Sequence, residues 1–86
     1  MSEIDATLEE RNKTHGDFLD DASLAQHLKR VIHRHKGWER LGPDQQEALD
    51  HISTKISRIL NGNPNHFDSW HDIAGYAQLV AKRLAK

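Results

Sequence analysis

Four acidic residues in the second half of the chain have the types and spacing that could hold a divalent cation. Asp68 and Asp72 are four residues apart and Glu47 and Asp50 are three apart, so each pair projects from one side of a helix. Carboxylate oxygens are the ligands that Mg²⁺ prefers, and protein-bound Mg²⁺ commonly bridges to phosphate oxygens. The sequence therefore suggests Mg²⁺ as a cofactor, with these four acids as its ligands.

The same acids also have structural explanations. Asp68 could cap the last helix and complement its dipole. A helical wheel points Glu47 toward solvent in a monomer, where an acidic pair is only a solvated face. Asp72 could form an ion pair with Lys55, which we expect near the same level of the adjacent helix. Both interpretations remain open on the sequence alone.

Three basic residues could receive phosphate oxygens in the same region. Lys55 and Arg58 are three residues apart on one predicted helix, with Lys55 at the edge of its apolar face. His15 precedes a predicted loop at Gly16 and Asp17, and loop residues are often functional. We therefore take Lys55, Arg58 and His15 as the candidate phosphate ligands.

The composition limits the classes of protein to consider. With 86 residues the chain fits one helical domain over residues 1–86, and its hydrophobic fraction of 36% is that of an ordinary globular protein. The absence of cysteine excludes thiolate zinc sites and cysteine nucleophiles. A net charge of −1 gives no general attraction to nucleic acid or to anionic lipid. No P-loop, dinucleotide fingerprint or nucleophile elbow occurs.

The location of the protein follows from similar observations. No apolar run approaches the roughly 18 residues of a membrane span, and the acidic N-terminus lacks the apolar core of a signal peptide. The lack of cysteine suits a reducing compartment. We expect a cytoplasmic protein.

Apolar residues recur with helical period in three segments, and no segment alternates with period two. The predicted fold is all-α, with a three-helix core at about residues 18–36, 43–61 and 68–85 and a short N-terminal lead-in. Asp17 and Asp68 are the expected N-caps, Pro43 the first residue of the middle helix and Gly62 its end. Residues 4–12 could add a short helix.

The short connection between the last two predicted helices makes them an antiparallel hairpin. We expect five apolar residues to be buried at its seam, namely Ile52, Ile56, Ile73, Ala77 and Val80. The helix at residues 18–36 has a wider apolar face than one hairpin can cover. This surplus predicts a homo-oligomer, most simply a two-fold dimer.

Three stretches of the sequence resemble a family of small phage and prophage proteins of unknown function, some of whose members carry a phosphofructokinase label that 86 residues cannot support. The stretches are residues 10–18 (ERNKTHGDF), residues 46–62 with QEAL at the start and KISRILNG at the end, and residues 68–77 (DSWHDIAGYA). The resemblance covers about residues 9–84, and it implies that the protein acts in the cytosol of a bacterial host.

More distantly, the pattern is similar to nucleotide-modification-associated proteins and to all-α nucleoside triphosphate pyrophosphohydrolases of the MazG kind. In those enzymes helix-borne acids bind Mg²⁺, which positions a water molecule for attack on the triphosphate. Asp72 matches the acid that opens their last core helix, whereas Ser69 replaces its usual partner. The resemblance implies a nucleotide-binding protein. The alternatives are a non-enzymatic accessory protein that binds a host protein, and a nucleotide or anion sensor without turnover.

Overall fold

The computed structural model describes residues 2–86 of the chain, and these residues contain helices and no strand. The helices are α1 (Glu3–His15), α2 (Phe18–Arg34), α3 (Pro43–Asn61) and α4 (Phe67–Leu84), with a 3₁₀ turn at Trp38–Arg40 between α2 and α3. The all-α class is confirmed, and the three main helices begin and end within two residues of their predicted bounds. The N-terminal lead-in is a full helix of 13 residues. None of the helices is long and apolar enough to cross a membrane.

The ends of the helices follow from local hydrogen bonding. The Asp17 carboxylate accepts a 3.3 Å bond from the backbone N–H of Asp20 and caps α2 as predicted. Pro43 is the first residue of α3, and Gly62 ends that helix by donating its N–H to the carbonyl of Arg58 at 2.8 Å. Asp68 was the expected cap of α4, and this prediction is wrong. The helix begins one residue earlier, after His66.

α3 is the central helix, and α2 and α4 each pack mainly against it. Three contacts fix the antiparallel hairpin that the sequence predicts. They are the ion pair of Asp44 with Arg83, the stacked rings of His51 and Tyr76, and the ion pair of Lys55 with Asp72. The contacts advance along α3 from Asp44 to Lys55, whereas their partners on α4 run in the opposite order, from Arg83 to Asp72. The result is an elongated array of 49 × 27 × 22 Å rather than a closed bundle.

The predicted hairpin core is only partly correct. Ile52, Ile73 and Val80 are half-buried, but Ile56 is 38% exposed and Ala77 is exposed as well. The reason is geometric, because α2 and α4 contact α3 on different sides and leave its Ile56 face uncovered. Among the described residues, the fully buried ones are small or polar: Asp21, Ala25, Ala48, Ser53, Ser57 and Ser69.

The end of α1 is tied to the end of α3 by two close backbone approaches. The N–H of Asn63 donates to the carbonyl of Thr14 at 3.0 Å. A Cβ at Gly16, which has a φ of +79°, would lie 2.2 Å from the carbonyl oxygen of Asn61. A Cβ at Gly62 would lie equally close, at 2.2 Å, to the carbonyl oxygen of Thr14. This junction fixes His15 beside the last turn of α3.

Candidate phosphate-binding site

Four basic side chains meet at the junction of α1, α3 and the loop before α4. They are Arg11, His15, Arg58 and His66, called here the basic cluster, and all four line one open groove of about 750 Å³, whose outer part is also lined by Glu3 and Glu10 of α1. The rings of His15 and His66 meet edge to face, with their centroids 6.0 Å apart. Two of the three predicted phosphate ligands, His15 and Arg58, are therefore brought together from residues that are far apart in sequence.

Arg58 is held at the base of the basic cluster by a buried acid. Its Nε lies 4.0 Å from the Asp21 carboxylate, and only 21% of the Arg58 side chain is exposed. The Nε atom is itself buried and makes no hydrogen bond. The same carboxylate also accepts a hydrogen bond from the hydroxyl of Ser57 at 2.6 Å. Because Nε is buried, an anion in the groove could use only the terminal nitrogens of the Arg58 guanidinium.

The pKa of His15 is affected by the charges of the other members of the basic cluster. Burial lowers the pKa of His15 below its usual 6.5, and the positive charges of Arg58, Arg11 and His66 lower it further. Asp21 acts in the opposite direction with a smaller effect. An anion in the groove would offset the cationic charge and favour the protonated imidazole. A negative ligand there would therefore oppose part of the effect that lowers the pKa of His15.

Lys55, the third predicted phosphate ligand, forms an ion pair with Asp72. Its Nζ lies 2.9 Å from the Asp72 carboxylate, and only 14% of the Lys55 side chain is exposed. The hydrogen bond from Lys55 lowers the pKa of Asp72 below its usual 3.8. The charge of Arg58 also lowers this pKa, with a smaller effect. The ion pair considered as the structural alternative is thus present at one edge of the basic cluster.

The two predicted metal ligands on α4 border the basic cluster. Asp68 is 76% exposed, and its carboxylate lies 3.9 Å from Nε2 of His66. Asp72 is one helical turn further along α4 and pairs with Lys55 as described. Asp68 is thus next to a member of the cluster, whereas Asp72 is paired with Lys55 and does not line the groove.

The two predicted metal ligands on α3 have other partners. Glu47 lies 3.6 Å from Nε2 of His51, and the Asp50 carboxylate lies 2.6 Å from Nε2 of His33 on α2. Within residues 2–86, no group of three or more histidine, aspartate or glutamate side chains could together hold a metal ion. The structure does not bring the four acids together, so one chain does not form the predicted Mg²⁺ site from them.

Sequence reasoning missed Arg11 and His66. His66 lies in the loop at the Asn-Gly-Asn-Pro-Asn break, where its only signal was loop position. Arg11 lies in the first stretch that carried the family resemblance, but nothing in its spacing related it to α3. Both residues enter the site only because the ends of α1 and α3 are in backbone contact.

The fold and the site define the protein as an all-α domain with a basic groove at one end of an open helix array. It belongs to a family known as a domain of unknown function (DUF6378), whose model matches residues 2–84. No curated protein and no solved structure has significant similarity to the chain. The family assignment names no ligand and no reaction.

Proposed function

We propose that this domain binds the phosphate groups of a nucleotide at the basic cluster. The observation that carries the proposal is the convergence of Arg58, His15, His66 and Arg11 on one groove. Guanidinium and imidazolium groups are strong donors to phosphate oxygens. The resemblance to phage nucleotide-modification proteins and to all-α pyrophosphohydrolases points to the same class of ligand.

Each member of the basic cluster has a separate part in binding. Arg58 contacts phosphate oxygens from the base of the groove, where the Asp21 carboxylate keeps its guanidinium in place. His15 gains a proton as the anion arrives, because the anion offsets the charges that lower its pKa. His66 and Arg11 close the sides of the groove. Binding therefore requires no metal site built by the protein alone.

A Mg²⁺ ion bound to the nucleotide would have Asp68 and Asp72 as neighbours from the first turns of α4. Mg²⁺ is commonly bound by one or two carboxylates together with phosphate oxygens and several waters. The ion would neutralise part of the phosphate charge and polarise a bound water molecule. Asp72 would have to exchange its Lys55 partner for the ion, which makes Asp68 the more available of the two acids.

Calorimetric titration tests the proposal with inorganic pyrophosphate, ATP and adenosine, each with and without Mg²⁺. Pyrophosphate and ATP should bind, and adenosine should not. Arg58→Gln should weaken pyrophosphate binding roughly 10- to 150-fold, as expected for a lost charged hydrogen bond. Arg30→Gln, at an exposed arginine of α2, is the matched control and should bind as the unaltered protein does.

An assay for pyrophosphate release separates the remaining possibilities. Turnover that is lost in Asp72→Asn and retained in Arg30→Gln identifies an enzyme. Binding without turnover identifies a sensor. If neither pyrophosphate nor ATP binds at millimolar concentration, the nucleotide proposal fails and a non-enzymatic accessory role replaces it.

A further inference from the structure

One side of the α3–α4 hairpin is apolar along most of its length and is not covered by any helix within residues 2–86. We call it the apolar stripe, and it consists of Leu49, Ile52 and Ile56 on α3 with Ala77, Ala81 and Leu84 on α4. All but Ile56 line a groove of about 390 Å³ between the two helices. Helical spacing places Ile56 one turn beyond Ile52 on the same side. The ion pairs of the hairpin involve other side chains.

The surface area of the chain is too large for a compact monomer. A globular protein of 9.9 kDa exposes roughly 5,200 Å², whereas this chain exposes 6338 Å². The difference, about 1,100 Å², is larger than the ~800 Å² that each partner buries in an interface of standard size. The shortfall in burial is thus of the size that one stable interface removes.

The interior of the chain leads to the same conclusion. Among the described residues, Ala25 and Ala48 are the only apolar side chains that are fully buried. Leu49, Ile56 and Leu84 are 38%, 38% and 58% exposed. A helical domain gains most of its stability by burying side chains of this kind. A second copy of the same chain could cover these side chains, with dimer formation rising with protein concentration.

We infer that the apolar stripe is the interface between two copies of this chain, in which two α3–α4 hairpins pack face to face as a four-helix bundle. The stripe suits self-association because it contains no charged residue. In a two-fold interface the same surface occurs on both sides, so a charged stripe would face its own charge. The sequence analysis also predicted a dimer, but it placed the interface on the wide apolar face of α2.

The basic cluster stays open in this assembly. Its members lie on α1, on α3 and in the loop before α4, and none of them lines the groove of the apolar stripe. Dimer formation and anion binding are therefore separable, and the failure of either one leaves the other testable.

Light scattering on the purified full-length chain, over 1 to 100 µM, tests the interface. The expected mass is twice the 9.9 kDa of one chain. Ala81→Arg should convert the dimer to a monomer, because the added charge would face its own copy across the two-fold axis. The position is exposed in a single chain, so the single-chain helices have room for the longer side chain.

Leu79→Arg is the matched control on the same helix. Leu79 is 67% exposed and lies on the opposite side of the hairpin, near Tyr76, so this variant should remain a dimer. Circular dichroism at matched concentration must give similar helix content for both variants. A mass of one chain for the unaltered protein over the whole range would overturn the inference, and the stripe would then belong to a different protein partner. Loss of the dimer in Leu79→Arg with retention in Ala81→Arg would also overturn it.

Discussion

The hydroxyl of Ser57 lies 2.6 Å from the carboxylate of Asp21 and 2.7 Å from the backbone carbonyl of the same residue. Ser57 is completely buried, and Asp21 is 5% exposed. This contact joins the first turn of α2 to the last turns of α3 in a place where most helical proteins have aliphatic side chains. It also fixes the acid that holds Arg58, so it connects the stability of the fold to the geometry of the basic cluster.

Replacing Ser57 by alanine should destabilise the protein markedly. The Asp21 carboxylate would lose a hydrogen-bond donor in a place that water cannot easily reach, which costs roughly 1.5–3 kcal/mol for a bond to a charged group. Urea unfolding, followed by circular dichroism at one fixed protein concentration, measures the free energy of unfolding.

Ser53→Ala is the control for this change. Ser53 is buried on the same helix, but its hydroxyl donates to the carbonyl of Leu49 within α3. Loss of that bond should cost less than about 1 kcal/mol, because the carbonyl keeps its helical partner and alanine favours the helix. An equal decrease in the free energy of unfolding of the two variants would show that the Ser57–Asp21 contact stabilises the protein no more than the Ser53 hydrogen bond does.

The glycine junction between α1 and α3 should not tolerate a side chain. Gly16→Ala should lower the free energy of unfolding by about 1–3 kcal/mol, because its backbone conformation is nearly restricted to glycine. The added Cβ would also meet the carbonyl of Asn61. Gly62→Ala should also be destabilising, because the added Cβ would meet the carbonyl oxygen of Thr14.

Gly75→Ala is the opposite case and serves as the comparison. No atom lies within 4 Å of the position that its Cβ would take, and the residue is inside α4. Alanine should therefore stabilise the helix by roughly 0.5–1 kcal/mol. Thermal unfolding of the three variants under one condition measures the order. A Gly16→Ala variant as stable as Gly75→Ala would contradict the close packing of the junction.

The fold was predictable because its signals are local. Asp17, Pro43 and Gly62 mark helix ends through their own backbone chemistry, and apolar periodicity gave the helix lengths. Which face of each helix is buried against its neighbours was not predictable in the same way. Ile56 has the spacing of a core residue, but its burial depends on where α2 and α4 contact α3, and periodicity contains no information about that.

The candidate site was predictable only in part, for a similar reason. Arg58 and His15 were identified as basic residues in favourable local positions, yet their proximity depends on the contact of Asn63 with Thr14. The Glu47 and Asp50 spacing suggested a shared cation. In the structure Asp50 pairs with His33 of α2 and Glu47 pairs with His51 of α3 itself, because residues three apart diverge by about 60° around a helix axis.

Asp72→Asn should make the protein less stable at neutral pH. The pKa of Asp72 is lowered in the folded state by its hydrogen bond with Lys55, so the carboxylate stabilises the fold above the unfolded-state pKa. That contribution should disappear as the pH falls through the lowered value. The urea midpoints of the protein and the variant should therefore differ at pH 7 and converge once the pH is below the lowered pKa of Asp72. Asp68→Asn, at a 76% exposed carboxylate, should change the pH 7 midpoint less.

The titration of His15 provides a direct measurement of the basic cluster. Burial and the charges of Arg58 and Arg11 lower its pKa, so the imidazole should titrate below 6.5 in the absence of phosphate. The unfolded chain then takes up this proton more readily than the folded one. The free energy of unfolding should therefore decrease as the pH falls from 6.5 to the folded-state pKa, and the His15 contribution should become constant below it.

Phosphate should reverse this shift if the groove binds anions. Histidine ring signals in NMR spectra can follow the titration, with His15→Gln identifying the resonance among the seven histidines. Saturating pyrophosphate should raise the His15 midpoint, because the anion offsets the neighbouring cations. If His15 titrates at the same pH with and without pyrophosphate, the anion binds elsewhere or not at all.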